Sequence, residues 1–164
     1  MPVIPDTAAR VADWFLANVD RASGDSVTHL KLQKLVYYAQ SWSLANFNRP
    51  LFEEDFQAWT HGPVVPSLWT RFKGAQWESL PPPKTAPILA RPQDAVLPEV
   101  MKQYGKFEAK FLEGMTHAED PWKQTRGVLP IQARCTKAIP KKIIRDYYAK
   151  KIKKSWPAAI LQTS

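Results

Sequence analysis

Apolar residues recur along the chain at helical spacing, broken by polar and proline-rich runs. Val11, Trp14, Phe15 and Val19 fall at i, i+3, i+4 and i+8, so one face of a first helix is apolar, with Asp6 or Thr7 placed to cap it. The polar run from Asp20 to Ser26 ends it. Thr28 then stands as the cap of a second helix, with Leu32, Leu35, Val36, Ala39 and Trp42 on one face and Leu30, Tyr37 and Tyr38 widening the stripe. So broad an apolar face predicts a central helix, stopped by Asn48 and Pro50. Phe52, Phe56, Ala58 and Trp59 fit neither period cleanly, which leaves room for a short strand. Helical spacing resumes after Gly62 and Pro63 with Val65, Leu68, Trp69 and Phe72, and Gly74 follows as a stop.

Residues 75–98 hold six of the fifteen prolines, which removes backbone donors and excludes a long regular element there. This stretch is expected to connect two helical halves. Leu97, Val100, Met101 and Tyr104 mark a helix interrupted by Gly105, and Phe107, Phe111, Leu112 and Met115 mark another. In the sequence EDPW, Asp120 is expected as the cap, Pro121 at the first helical position and Trp122 as the anchor of a short helix ended by Gly127. A last helix starts near Pro140, with Ile143, Ile144, Tyr147, Tyr148 and Ile152 apolar and its lysines outside. The fold class is all-α: a compact multi-helix single domain with a proline-rich connector and at most a short extended element.

Composition bounds the function. At 164 residues and 45% hydrophobic content the chain suffices for one cored domain, which buries roughly 70% of its unfolded surface. No window has the roughly 18 uninterrupted apolar residues of a membrane helix, and the N-terminus lacks the basic-then-apolar order of a secretory signal. A cytoplasmic location is expected, and the single cysteine, Cys135, agrees with a reducing compartment. Charge is localised: Arg134 to Lys154 carries nine basic residues against Asp146, while the rest of the chain has 14 basic and 14 acidic groups, so the net +8 lies in this segment. If that segment meets nucleic acid, Lys141, Lys142, Arg145, Lys150 and Lys151 are the phosphate-contacting candidates. The alternative is a solvated outer face on a helix whose apolar side docks on the core.

All three histidines, His29, His61 and His117, directly follow a threonine (Thr28, Thr60, Thr116). Their separations of 32 and 56 residues are not those of a local ligand set, so they read as corner-fixing residues whose rings hydrogen-bond to loop carbonyls. A zinc or iron site with Asp120 or Glu119, or general-base catalysis by a histidine, are the other readings. Neither a glycine-rich phosphate loop, nor paired-cysteine zinc spacing, nor a serine nucleophile elbow is present. Catalysis by Cys135 would need a base and an electrophile site that the sequence does not offer. No catalytic residue, metal or cofactor is therefore assigned. Seven tryptophans are many for this length; Trp59, Trp69 and Trp122 suit either core packing or a binding surface.

The order THLKLQKLVYYAQ, NRPLFEEDFQAWTHGPVVPSLWTRFKG and MTHAEDPWKQTR is similar to the Panacea domain, the SocA-like family of bacterial and phage-associated antitoxins. The resemblance runs from about Thr7 to Arg126, with its characteristic stretches at Leu32–Gln40, Trp59–Pro66 and Thr116–Trp122. It implies a mainly helical domain that neutralises a cognate toxin protein by binding it, and one member is understood to deliver its toxin to a protease. Residues 1–133 are assigned to this domain and 134–164 to a basic helix and tail packed on it. The basic segment lies outside the resemblance. A nucleic-acid-binding regulator and a protease adaptor are the alternative functions. Anchors for a partner are expected at Trp59, His61, Gly62, Pro63, Val64, Val65, Pro66 and Trp69, because a proline-stiffened corner loses little entropy on binding. Thr28, His29, Thr116, His117, Asp120, Pro121 and Trp122 are expected to be structural.

Overall fold

The fold is described from a computed structural model, over residues 6–152. It is all-α with one small antiparallel sheet. Helix α1 (Ala8–Ala17) begins at Thr7, whose hydroxyl accepts from the Arg10 N–H. Helix α2 (His29–Phe47) begins at Thr28, whose hydroxyl accepts from the Lys31 N–H, and ends at Asn48 in the left-handed conformation. Both caps follow the sequence reading, because a hydroxyl before a helix satisfies an amide that the helix itself leaves unpaired.

Every residue of α2 from Leu32 to Leu44 is buried. The helix is central, as its apolar stripe predicts, but it is enclosed on all faces, and its polar residues are enclosed with it. Gln40 accepts from the Leu51 N–H at 2.7 Å and donates to the Phe52 carbonyl at 2.9 Å, which pins the chain after the helix. Gln33 accepts from the Val65 N–H at 3.1 Å. Trp42 donates to the Tyr104 hydroxyl at 2.9 Å. Around α2 pack α1, α3 (Pro66–Phe72), α4 (Val96–Tyr104), α5 (Ala109–Ala118) and α7 (Lys141–Ala149), with α6 (Asp120–Arg126) between α5 and α7.

Strands β1 (Gln57–Trp59) and β2 (Gly62–Val64) form a hairpin in which Ala58 pairs with Pro63 and Trp59 with Gly62. Gly62 and Pro63, expected as the entry to a helix, are strand residues, and the helix begins at Pro66. A strand tolerates proline where no ladder donor is needed. Here Ala58 donates its N–H to the Lys137 carbonyl at 2.9 Å and its own carbonyl accepts from Arg126 at 2.9 Å, both away from Pro63. The Ile139 N–H adds a bond to the Phe56 carbonyl, so the segment before α7 lies along the outer edge of β1.

Between Ala75 and Val96 the proline-rich stretch has only a 3₁₀ turn, Gln93–Ala95, and is tied down by buried Leu80 and Leu89 and by the Leu80 N–H bonding to the Val27 carbonyl. Its last proline, Pro98, sits in the first turn of α4, where the missing N–H costs nothing. Among the described residues no helix is long and apolar enough to cross a membrane.

Candidate binding groove

A groove of about 1160 Å³ opens beside the N-terminal half of α2. Its walls come from α2 (Thr28, His29, Lys31, Lys34), the hairpin (Trp59, Thr60, His61, Val64), Trp69 of α3, Lys73 and Trp77 after it, α5 (Glu108, Lys110, Glu113), and Arg134 and Cys135 before α7. Trp69 meets the edge of the Trp59 ring at 5.5 Å and of the His29 ring at 5.0 Å, while Trp77 is largely exposed.

Lys34 is the least expected member. Its side chain is buried, and its Nζ donates to the Pro63 carbonyl at a long 3.4 Å. Removal from water favours the neutral amine and brings its pKa down to about 8, against the opposing field of Glu113. Among the described residues no carboxylate reaches ion-pairing distance of it. Gly62 makes room for this side chain: its φ is +104°, and a Cβ there would stand 2.5 Å from Lys34 Cε and 2.9 Å from Thr116 Oγ1.

Glu113 ties the rim together. Its Oε1 lies 3.1 Å from His61 Nδ1 and 4.0 Å from His117 Nε2, and its other oxygen 3.8 Å from Lys110 Nζ. Burial raises its pKa, but the hydrogen bond and charge of His61, then Lys110 and His117, outweigh burial and hold the carboxyl below its usual value. Burial lowers the pKa of His117 against the pull of Glu113 and a hydrogen bond with the Thr60 backbone; His29 is lowered by burial and by Lys34. Both imidazoles are held towards the neutral form. The Nδ1 of His29, a residue 4% exposed, has no hydrogen-bond partner.

The stretch around Thr116 to Arg126 supports the hairpin from behind. His117 stacks on Trp122 at 4.0 Å, and Trp122 Nε1 donates to the Trp59 carbonyl at 2.8 Å. Arg126, also buried, lies over Trp122 and donates to the carbonyls of Ala58, Pro130, Ile131 and Ala133.

The three Thr-His pairs are not one device used three times. Thr28 is a helix cap, Thr60 lies in the hairpin turn, and Thr116 sits in the last turn of α5 with its hydroxyl on the Glu113 carbonyl. Only His117 bonds to a loop carbonyl as expected; His29 packs on Trp69, and His61, which is exposed, meets Glu113. Asp120 is not a cap either. The capping position belongs to Glu119, whose carboxylate turns inward to accept from Tyr38 at 2.6 Å and Tyr148 at 3.0 Å, and Asp120 is half-exposed in the first turn beside Lys123. Pro121 and Trp122 are buried. Among the described residues no three His, Cys, Asp or Glu side chains gather as a metal site.

Of the residues expected as partner anchors, Trp59, His61, Val64 and Trp69 line the groove, whereas Gly62, Pro63 and Val65 are buried beneath it and Pro66 starts α3. On α7, Lys141 is engaged by Asp55 and the Glu53 carbonyl, and Arg145 by Asn48 and Asp146; Lys142 and Lys150 are exposed, and Lys151 stacks over Tyr147. Lys153 and Lys154 lie outside the described residues. Sequence reading missed Lys34, Glu113 and Arg126. Lys34 carried a signal, since it stands at i+4 from Leu30 and i−4 from Tyr38, inside the apolar stripe; Glu113 stands one turn before His117.

The walls offer indole faces, an ammonium, imidazoles, a carboxylate and a thiol, a mostly apolar surface with a few placed polar groups of the kind that binds a ligand or partner. Compared with known families, residues 32–123 match the model for the antitoxin SocA-like, Panacea domain. No curated protein and no solved structure matches the chain.

Proposed function

The chain belongs to the SocA-like antitoxin family with the Panacea domain, whose model covers more than half of its length, and we propose that it neutralises a cognate protein toxin by direct, stoichiometric binding. One observation carries this reading. The groove takes its floor from Lys34 and its wall from Trp59, His61 and Val64, all within the matched segment, and Thr116 to Trp122 brace that wall. Tryptophan beside a desolvated charge is the composition of a binding hot spot. On this reading neutralisation follows the amount of antitoxin bound. A toxin held at a dissociation constant near 1 nM corresponds to about 12 kcal/mol, within reach of an interface of ordinary size with a few aromatic anchors.

The test is a titration of purified toxin, encoded by a neighbouring gene that is lethal alone and harmless beside this one. Toxin activity is expected to fall linearly to equimolarity and to return in full once the antitoxin is removed. Permanent inactivation by sub-stoichiometric amounts, in a mixture without protease, would identify an enzyme instead.

A further inference from the structure

We infer that the groove holds an extended segment of a partner protein, one that brings an acidic side chain to Lys34 between apolar flanks. This rests on the groove being the partner-binding surface, and three observations support it.

The first is the unanswered ammonium. A buried charge is ordinarily paired, because removing it from water costs more than one long hydrogen bond returns. Lys34 has that one bond, to the Pro63 carbonyl, although an ammonium carries three donors. A methionine would fill the same space without the cost. Beside it His29, also buried, leaves Nδ1 without a partner on the same groove. A carboxylate suits both: its charge answers the ammonium, and its two oxygens can accept from the ammonium and from an imidazole N–H.

The second is charge. Lys31, Lys34, Lys73, Lys110 and Arg134 line the groove against Glu108 and Glu113, and Glu113 is already engaged by His61. The surface that complements such a lining is acidic.

The third is size and texture. At about 1160 Å³ the groove exceeds the roughly 300–1,000 Å³ typical of small-molecule sites, and its length is walled by Trp59, Trp69 and Trp77. A nucleic-acid strand would want several free cations spaced along a backbone, whereas here Lys31 is bonded to the Gly105 carbonyl, Lys110 faces Glu113, and the ammonium at the floor, Lys34, is sunk among indoles. A peptide with one acidic residue flanked by apolar side chains fits both features.

The experiment selects phage-displayed random dodecapeptides on the full chain, then measures synthetic winners by isothermal titration. Enriched sequences are expected to share an Asp or Glu with large apolar neighbours. Replacing that acid by its amide is expected to weaken binding at least tenfold, Lys34→Met to weaken it similarly, and the two changes together to cost little more than either alone. The amide arm leaves the protein untouched, and the melting temperature of Lys34→Met reports its folding. Winners lacking an acid, affinities indifferent to Lys34→Met, or no enrichment would overturn the inference. So would a fluorescent dodecathymidylate that binds in a Lys34-dependent manner when no peptide does. A failed toxin titration with acid-dependent peptides in hand would leave the groove's chemistry standing and refute the toxin as its occupant. Intact neutralisation with no peptide selected would do the reverse.

Discussion

Lys34 sets stability against recognition within one side chain. Its folded pKa of about 8 lies below the ordinary lysine value of 10.5, so the native state releases this proton before the unfolded chain does. The stability it contributes is therefore present above pH 10.5 and is lost as pH falls through 8. The surrounding titratable groups are Glu113, His29 and His117, all with their transitions well below this window. Raising the pH from 8 to 9.5 is expected to stabilise the fold by about 1–2 kcal/mol, read by urea denaturation, before tyrosine ionisation in the unfolded chain opposes it. In Lys34→Met most of that rise should be lost, the remainder coming from Lys31, whose pKa burial also lowers, and the melting temperature at pH 7 should increase. An unchanged pH profile in the variant would mean that Lys34 is hydrated rather than buried. Gly62 is the companion residue: Gly62→Ala forces a side chain onto a positive φ and into Lys34 Cε, so a loss of about 1–3 kcal/mol is expected. Lys34→Ala should return part of it, since it removes one of the two contacts but neither the backbone strain nor Thr116.

Among the elements, those with a strong period and a cap were legible in the sequence, and those shaped by distant partners were not. Thr7, Thr28 and Asn48 bound their helices through bonds three or four residues away, so local sequence sufficed. The hairpin could not be read in this way, because Pro63 becomes a strand residue only through Lys137 and Arg126, more than sixty residues on, which take up the groups of Ala58. The same holds for Glu119, drawn inward by Tyr38 and Tyr148 and so displacing Asp120 from the role its position suggested. The groove was half legible: the tryptophans and His61 stood out as residue types, but its floor was a lysine that patterning would place outside. Two substitutions on α6 separate local from tertiary determinants. Trp122→Ala removes a buried indole, its bond to the Trp59 carbonyl and the surface under His117, and is expected to cost about 3–5 kcal/mol. Asp120→Ala removes only a half-exposed group 3.9 Å from Lys123 and should shift the melting temperature little. Were Trp122→Ala to melt like the wild type yet fail to neutralise toxin, its role would be contact rather than support.

Over the whole molecule, the basic C-terminal segment combines a strong charge with a structural task. Ile139, Ile144 and Tyr148 are buried, the backbone around Lys137 and Ile139 closes the outer edge of β1, and α7 packs along α2. The apolar side of the segment thus docks on the core, while Lys142 and Lys150 stay in water. Deleting residues 134–164 would therefore expose α2, unpair the hairpin edge and strip Arg134 and Cys135 from the groove, so the truncated chain is expected to lose cooperative thermal unfolding. Such a deletion could not distinguish a nucleic-acid role from a structural one. Charge reversal at Lys142 and Lys150 can, because neither residue is buried and the groove lining does not include them. The double variant Lys142→Glu, Lys150→Glu is expected to melt within a few degrees of the wild type and to neutralise toxin at the same equimolar endpoint. Phosphate contacts through this helix would instead appear as duplex-DNA binding by the wild type that weakens steeply with salt, with a smaller log–log slope in the variant. The geometry favours the first outcome, since Lys141 and Arg145 already serve Asp55 and Asn48, leaving the described helix too few outward cations for a phosphate track.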